Sequence, residues 1–509
     1  MTNLLLSIDR SAATPLHRQV YDGLRRAILD GRLRPGEQVP PTRALAAELG
    51  VSRMPVLAAY DQLLHEGYLE GRVGAGTFVS GLLPDEALQA SPAAARRRDR
   101  PRVPAPRDFG GLRPFRLSLP PLDQFPRELW AGLVGRHARA LTPDRMAYGD
   151  PAGVGELRVA IAAHLRAARA VRAEPEQVIV VPGSQAALRV AAAALLRPGD
   201  RVAIEDPGYP GARAALEAAG ARLVPVPVDG EGLDVAALER LRGQVRAVYV
   251  TPSHQYPLGA SMSAARRMAL LDWARRRDAW ILEDDYDSEY RYVSRPLGAL
   301  QGMDPHGRVV HVGTFSKVLF PALRMGWLVV PPARVDDVIA AREALDLFPP
   351  TLYQYVLAEF LAEGHFARHL RRMRGTCLAR RNALLAGLAE HCGGTLRVHN
   401  ADAGLHLATT LVQGGDDQAL VRRLAARGIL AVALSGCYSG RDKRQGLLLG
   451  FGGFPESRIA EAAQVLGEVL SAASIAAADG APPAQHRGPP PAGPAPVTST
   501  PPTSTVGEA

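Results

Sequence analysis

The sequence predicts a large α/β domain on a mostly parallel sheet, preceded by a small, mostly α domain that ends in a hairpin. Three observations carry this. Between about residues 114 and 475, short apolar runs alternate with helix-length amphipathic stretches, the pattern of a sheet covered on both faces. Residues 10–80 show three short helical patterns and then a glycine-rich pair of strands. Residues 81–113, rich in arginine and proline and without periodicity, separate the two.

In the small domain, Pro15 opens a helical pattern with Leu16, Val20, Leu24 and Ile28 on one face and Leu29 beside it. Thr14 is placed to cap it, and proline in a first turn loses no hydrogen bond. Asp30-Gly31 ends that helix, and Arg34-Pro35-Gly36 is a turn. A second helix is expected from about Thr42 to Leu49, stopping at Gly50. Ser52 caps a third, with Val56, Ala59, Tyr60, Leu63 and Leu64 on its buried side. Pro55 is tolerated in its first turn, where amides have no intrahelical acceptor. After Gly67, residues 68–79 read as two strands around a glycine-rich tip. Helix, helix-turn-helix, then hairpin is the order of a winged helix-turn-helix, which sets a helix N-terminus and a basic wing against a duplex.

Prolines 101, 104 and 106 keep the linker extended, and a coil of that length spans on the order of 30 Å. Its arginines, 96–98, 100 and 102, are either simply solvated or brush phosphates. Residues 476–509 are mostly Ala, Pro, Ser, Thr and Gly, so a disordered tail is expected. Hydrophobic content of 47% and charged content of 22% are those of an ordinary soluble protein. No uninterrupted apolar run is long enough for a membrane span, and the first ten residues lack the basic region of a secretory signal. The cysteines, Cys377, Cys392 and Cys437, have no metal-ligand spacing; packing roles in a reduced cytoplasm, and no metal, are expected. The net charge of +9 is carried by arginine, since Lys317 and Lys443 are the only lysines, and points only weakly to nucleic acid.

In the large domain the expected strands are 178–181, 202–204, 223–228, 245–250, 279–282, 309–312 and 325–330. Helices at 184–196, 210–219, 235–242 and 263–277 lie between several of them. Ligands gather at strand ends in such sheets, and polar motifs fall there each time. Gly183-Ser184-Gln185 runs from a strand into a helix start, an anion site of backbone amides and a hydroxyl. Pro207-Gly208-Tyr209 offers an aromatic face. In Glu283-Asp284-Asp285-Tyr286-Asp287, a carboxylate at a buried strand end suits a protonated pyridine nitrogen, and a tyrosine two residues on suits a ring phenolate. Finally, the run 309–312 leads through Thr314 and Ser316 to Lys317, with Arg324 seven residues on. A lysine there suits a Schiff base with a phosphorylated aldehyde, whose phosphate Thr314, Ser316 and Arg324 hold. Each motif alone also fits an ordinary capped loop; their occurrence in this order carries the reading.

Residues 15–79 resemble the GntR family of bacterial regulators, through Pro15-Leu16, Leu33-Arg-Pro-Gly36, Val51-Ser-Arg53, Glu66-Gly-Tyr68 and Gly74-x-Gly76-Thr-Phe78. The resemblance implies that Arg43, Ser52 and Arg53 meet phosphates or base edges, and that Arg72, Gly74 and Gly76 form the wing contact with double-stranded operator DNA. Met54-Pro55 stands where the family commonly has Asn-Thr. Residues 114–475 resemble fold-type I aminotransferases, the pyridoxal 5'-phosphate (PLP) transferase architecture with a small α+β C-terminal subdomain. The motifs are Tyr148-Gly-Asp-Pro-Ala-Gly153, Gly183-Ser-Gln185, Pro207-Gly-Tyr209, Thr251-Pro-Ser-His-Gln-Tyr-Pro257, Glu283–Glu289 and Thr314-Phe-Ser-Lys317. The two parts together resemble the MocR subfamily of GntR regulators, which includes PdxR-like members.

By that resemblance Lys317 is the catalytic-type lysine that bonds PLP. Asp284 pairs with the pyridine nitrogen, with Asp285 its nearest competitor, and Tyr286 meets the ring oxygen. Tyr209 stacks on the ring. Ser184, Gln185, Thr314, Ser316 and Arg324 hold the phosphate, and Tyr148 reaches it from the other subunit of a homodimer. There are two departures. Tyr256-Pro257-Leu258-Gly259 lacks the asparagine that usually touches the ring oxygen, leaving Gln255 or His254 as substitutes. Leu448 replaces the arginine that usually clamps a substrate carboxylate; Arg441 and Arg444 lie nearby. The expectation is a cytoplasmic transcription factor that senses PLP itself, as PdxR-like regulators of vitamin B6 genes do. The alternatives are sensing of an amino acid or amine such as GABA or taurine condensed with PLP, or a working aminotransferase with a DNA-binding domain.

Overall fold

The computed structural model describes residues 8–81, 83, 111–293, 298–440 and 442–479, with backbone alone from 473. Most of the linker, Arg441 and residues 480–509 of the expected tail lie outside the described residues. The chain divides into two compact units, Met1–Asp108 and Phe109–Ala509.

The first unit contains helices α1 (Leu16–Leu29), α2 (Thr42–Glu48) and α3 (Arg53–His65) and strands β1 (Leu69–Arg72) and β2 (Gly76–Val79). Val20, Leu24 and Ile28 of α1, Leu45 of α2 and Val56, Tyr60 and Leu63 of α3 close on Val79 of the hairpin. The Tyr60 hydroxyl donates to the Pro40 carbonyl at 2.7 Å and ties α3 to the turn before α2. Three local expectations are corrected. Leu64, expected on the buried side of α3, stands at the solvent edge (36% exposed), because an apolar stripe of one in three or four positions leaves the neighbour outside. Pro15, not Thr14, holds the cap position of α1, and its carbonyl accepts from Arg18 and Gln19. Ser52 occupies the α3 cap with extended backbone, but its hydroxyl makes no cap hydrogen bond.

In the second unit all seven expected runs form strands: β3 (Val178–Val181), β4 (Arg201–Asp206), β5 (Arg222–Asp229), β7 (Ala247–Val250), β8 (Trp280–Asp285), β9 (Val309–Thr314) and β10 (Gly326–Val329). With the two-residue β6 (Gly232–Leu233) they form one sheet in the order β3-β10-β9-β8-β7-β4-β5-β6. Pairing is parallel except where β10 meets β3 and β9, and at the edge β6. The reason lies in chain length. Residues 315–325 join β9 to β10 with only a 3-10 turn, too short for the crossover that a parallel neighbour needs.

Helices Ser184–Leu195, Pro210–Ala218 and Val335–Asp346 cover one face of this sheet. The other face is covered by Ala264–Arg277 in one cluster and by Gly155–Arg169 and Leu352–Ala362 in another. An antiparallel sheet of β11 (Leu396–Val398), β12 (His406–Leu411), β14 (Gly446–Gly450) and β13 (Val432–Ala433), in that order, is the small subdomain. The final helix, Glu456–Asp479, runs past the boundary expected at 475. Alanine there was read as coreless tail, but it is also the strongest helix former. Among the described residues no helix is long and apolar enough to cross a membrane.

Gly153 shows why its motif reads as it does. Its φ is +97°, and a Cβ would lie 2.6 Å from the Val180 side chain in β3. Gly153→Ala is therefore expected to destabilise the second unit by about 2–4 kcal/mol, read from urea unfolding, with the first unit unchanged.

Candidate functional site

The sheet pairing assembles the predicted residues. Gly326 of β10 pairs with Thr314 of β9 on one side and Val181 of β3 on the other. This sets the start of helix Ser184–Leu195 beside the loop carrying Ser316, Lys317 and Arg324. Gly183 caps that helix at φ +86°. A Cβ there would meet the Arg324 guanidinium at 3.3 Å, so the cation lies against the helix N-terminus. Arg324 itself has left-handed backbone, φ +49°, and its Nη2 donates to the Pro182 carbonyl at 2.7 Å. Thr314 Oγ1 accepts from the Ser316 amide at 3.1 Å, while the buried Ser316 hydroxyl has no partner. A cation beside a helix N-terminus and an unpartnered buried hydroxyl are groups whose chemistry suits a dianionic phosphate.

Two adjacent carboxylates of β8 have different fates. Asp285 is bound by the buried Arg169 through Nε at 2.8 Å and Nη2 at 3.2 Å. Although burial alone would raise it, Arg169 holds the Asp285 carboxyl below its usual range. Asp284 points to the other face. It accepts from the Tyr249 hydroxyl at 2.8 Å, and its second oxygen is buried without a partner. Burial pushes Asp284 up to about 6, against the Tyr249 hydrogen bond. Asp285 is thus committed to Arg169, whereas Asp284 retains a buried oxygen without a partner. Lys317 is recessed in the same cleft, and burial pulls its ammonium down to about 8, with Asp287 and Asp284 opposing.

Around these, Gln185 Nε2 donates to the Tyr209 hydroxyl at 3.4 Å, and the Tyr209 ring lies over Gly211, where a Cβ would come within 2.4 Å of it. Tyr286 meets His254, whose Nδ1 is 3.0 Å from the phenol oxygen. Gln255 is buried, with its amide nitrogen on the Pro207 carbonyl at 2.9 Å and its oxygen accepting from Leu258, so of the two substitutes for the missing asparagine only His254 reaches toward the tyrosine. Tyr148 is 86% exposed and packs edge-on against Phe348 at 5.9 Å. Leu448 is fully buried in β14, and Arg444 is exposed. Among the described residues no group of His, Cys, Asp or Glu side chains is arranged to hold a metal.

Sequence reading missed Arg169, Tyr249 and Glu205. Tyr249 pairs with Leu282, whose side chain shares a face with Asp284 two residues on, so strand register was the signal. Glu205 accepts from the Thr251 hydroxyl at 2.6 Å in full burial.

In the first unit, Arg43, Ser52 and Arg53 are exposed on one helix pair, and Arg53 Nε donates to Thr42 Oγ1 at 3.2 Å. Met54 beside them is 68% exposed. At the wing, Arg72 pairs with Glu70 at 2.7 Å and lies 4.5 Å over the Phe78 ring. Gly74 (φ +76°) has open space where a Cβ would stand, and at Gly76 (φ +108°) a Cβ would strike Gln38, whose Nε2 braces the Ala75 carbonyl at 2.7 Å.

Two outcomes are expected of the carboxylates. Asp285→Ala strands the Arg169 cation and costs about 3–5 kcal/mol in urea unfolding, whereas Asp284→Ala leaves stability near that of the wild type. The second concerns pH. Burial, despite the Thr251 bonds, pushes Glu205 up to about 7 from 4.5. The folded chain therefore keeps this proton where the unfolded chain has lost it. The contribution is full below about 4.5 and is lost as pH rises through about 7, and Asp284 behaves alike up to about 6. Glu205→Gln should flatten that fall by up to roughly 3 kcal/mol, measured as unfolding midpoints across the window.

Comparison with known proteins agrees with this geometry. Residues 131–463 match the family model "Aminotransferase class I and II", and residues 16–79 match "Bacterial regulatory proteins, gntR family". The chain is 41% identical to the probable rhizopine catabolism regulatory protein MocR of Rhizobium meliloti, over 90% of this chain and 94% of that one. It is 34% identical to the pyridoxine biosynthesis transcriptional regulator PdxR of Corynebacterium glutamicum, over 93% of this chain and all of that one. Among solved structures, the multiple substrate aminotransferase of Thermococcus profundus matches with a TM-score of 0.66 and 28% identity, over 71% of this chain and 92% of that one. A GntR helix-turn-helix unit and an aminotransferase-type unit in one chain, with relatives along nearly its whole length, make this chain a member of the MocR-type GntR transcriptional regulators.

Proposed function

We propose that the second unit holds PLP and that the regulator responds to PLP itself, with the aminotransferase architecture serving as a sensor. Lys317 bonds the cofactor. Asp284 takes the ring nitrogen, Tyr286 the ring oxygen and Tyr209 the ring face. Ser184, Gln185, Thr314, Ser316 and Arg324 take the phosphate. The fit rests on what these residues leave unspent: one buried oxygen of Asp284, the buried Ser316 hydroxyl, and a lysine whose ammonium burial pulls down to about 8. Bound PLP supplies an electrophilic aldehyde on an electron-withdrawing ring.

The observation that supports PLP as the effector is Leu448. It is fully buried where aminotransferases carry the substrate-carboxylate arginine. An amino-acid carboxylate facing leucine would be left unpaired at a cost of several kcal/mol. A second reading has an amine or amino acid, condensed with PLP, as the effector. An amine without a carboxylate has no need of the missing arginine.

The homodimer is supported by exposed apolar side chains at Met146, Tyr148, Leu345, Leu347 and Tyr353, with Tyr148 free to enter the other subunit's phosphate site. In the first unit, Arg43 at the start of α2 and Ser52 and Arg53 at the start of α3 meet the duplex, and Arg72, Gly74 and Gly76 lie along its backbone or minor groove. A regulator of this kind works in the cytoplasm, on its DNA. For sensing to change DNA affinity, the ligand must bind two states of the protein unequally.

Titration with PLP should raise an absorbance band that is absent in Lys317→Ala, and amino acids and amines should leave the band unchanged. A reversible shift with one of them selects the second reading, and keto-acid production would show a working enzyme. On DNA, Arg53→Ala should weaken binding to the gene's own upstream region and reduce the salt slope by about 1 in fluorescence anisotropy; an unchanged slope removes Arg53 from the phosphate contacts.

A further inference from the structure

We propose that His254 is a positioning residue that fixes the direction of the Tyr286 hydroxyl hydrogen, turning it away from the imidazole and toward the cofactor. This inference rests on the PLP reading above. Nδ1 of His254 lies 3.0 and 3.1 Å from the two oxygens of Asp287 and 3.0 Å from the Tyr286 oxygen. A carboxylate only accepts, so the Asp287 pair places the imidazole proton on Nδ1. A protonated Nδ1 has no lone pair to offer. Toward His254, the Tyr286 oxygen therefore acts as acceptor, and its own O–H must point elsewhere. Burial holds the Tyr286 proton on, far above the usual phenol range, so the tyrosine remains a donor. In this chain that donor does the work usually shared with the asparagine that Tyr256 replaces.

The ring has no freedom to swing out of this arrangement. A Cβ on Gly404 (φ +82°) would stand 2.2 Å from His254 Cε1 and 2.8 Å from Asp287, and one on Gly259 (φ +76°) 3.0 Å from Nε2. Nε2 is buried without a partner, so the hydrogen bonding of the ring is spent on its Nδ1 edge. The other titratable groups that bear on this cluster are Tyr256, whose proton burial holds on, Asp284, Glu205, Lys317 and His406. The His406 ring lies 5.7 Å from that of His254, and burial holds His406 down to about 4, so it stays neutral through the range tested below.

The test is the absorbance of PLP-loaded protein followed against pH. His254→Phe should still carry PLP on Lys317, seen as a borohydride-reduced peptide, but the protonation midpoint of the bound chromophore should move by about one unit or more. His254→Asn, whose amide N–H can stand in for Nδ1–H, should restore most of the wild-type midpoint. Tyr286→Phe should give the His254→Phe shift, and the two together should shift no further. If His254→Phe does not fold, Asp287→Asn serves: its amide drives the imidazole proton to Nε2, and adding Tyr286→Phe to it should change nothing more. A wild-type midpoint in His254→Phe, or shifts that add in either pair, overturns the proposal. Wild-type protein that takes up no PLP at Lys317 overturns the cofactor reading and this one with it, an outcome distinct from the first because the wild type is then colourless.

Discussion

The ladder on either side of β10 governs the second unit. Because β10 runs antiparallel between β3 and β9, two distant segments of sequence end at the same point: Pro182–Gln185 after β3, and Thr314–Arg324 around the β9–β10 return. Gly326 is where they meet. A Cβ there would lie 2.5 Å from the Gly313 carbonyl and 3.1 Å from Gly183 Cα, so any side chain would push the helix start at Ser184 away from the lysine loop. Lys317 and that helix start are thus brought together by backbone pairing, before any side chain contributes. The brevity of the return, which forces the antiparallel turn, also holds Lys317 close to Arg324.

Electrostatic division of labour follows from strand alternation. Asp284 and Asp285 are neighbours in β8, and a strand sends them to opposite faces. On one face a fully compensated ion pair with Arg169 is structural. On the other, Asp284 is held by one tyrosine in a buried setting that disfavours its charge, and its second oxygen has no partner. The same burial lowers Lys317. A buried acid raised and a buried amine lowered are the conditions under which both become cheap to charge or to react when a complementary ligand arrives.

Much of this was legible in the sequence because the fold is written in local patterns. Seven apolar runs gave seven strands, most of them buried on both faces and so near-continuously apolar, β10 included though it runs antiparallel. The strand-end motifs named Lys317, Asp284, Tyr286 and Arg324 without any knowledge of their neighbours. What could not be read were partners set by register and crossover. Arg169 lies at the end of a helix over a hundred residues before Asp285, and Tyr249 looked like one more apolar strand residue. The antiparallel sense of β10 was likewise hidden, being a consequence of connection length rather than composition. Caps were read too simply: Thr14 and Ser52 have the right chemistry, yet a proline at the cap of α1 and an unused hydroxyl at α3 show that a helix start also tolerates other solutions.

A sensor differs from an enzyme in what its cleft is tied to. The end of β4, which carries Tyr209, is bound to the small subdomain by hydrogen bonds between distant residues: the Ser439 and Gly440 amides on Asp206 at 2.7 and 3.1 Å, and the Gly208 amide on the Cys437 carbonyl at 3.0 Å. Arg213 adds a donor to the same Cys437 carbonyl at 3.0 Å. Anything that presses on the Tyr209 ring therefore presses on the loop before β14, the strand in which Leu448 replaces an arginine. A substrate clamp in that strand would draw the small subdomain onto an amino acid. Without it, the cleft keeps the tie but loses that pull; on the proposed reading, occupancy of the ring and phosphate positions is what remains to bias the subdomain.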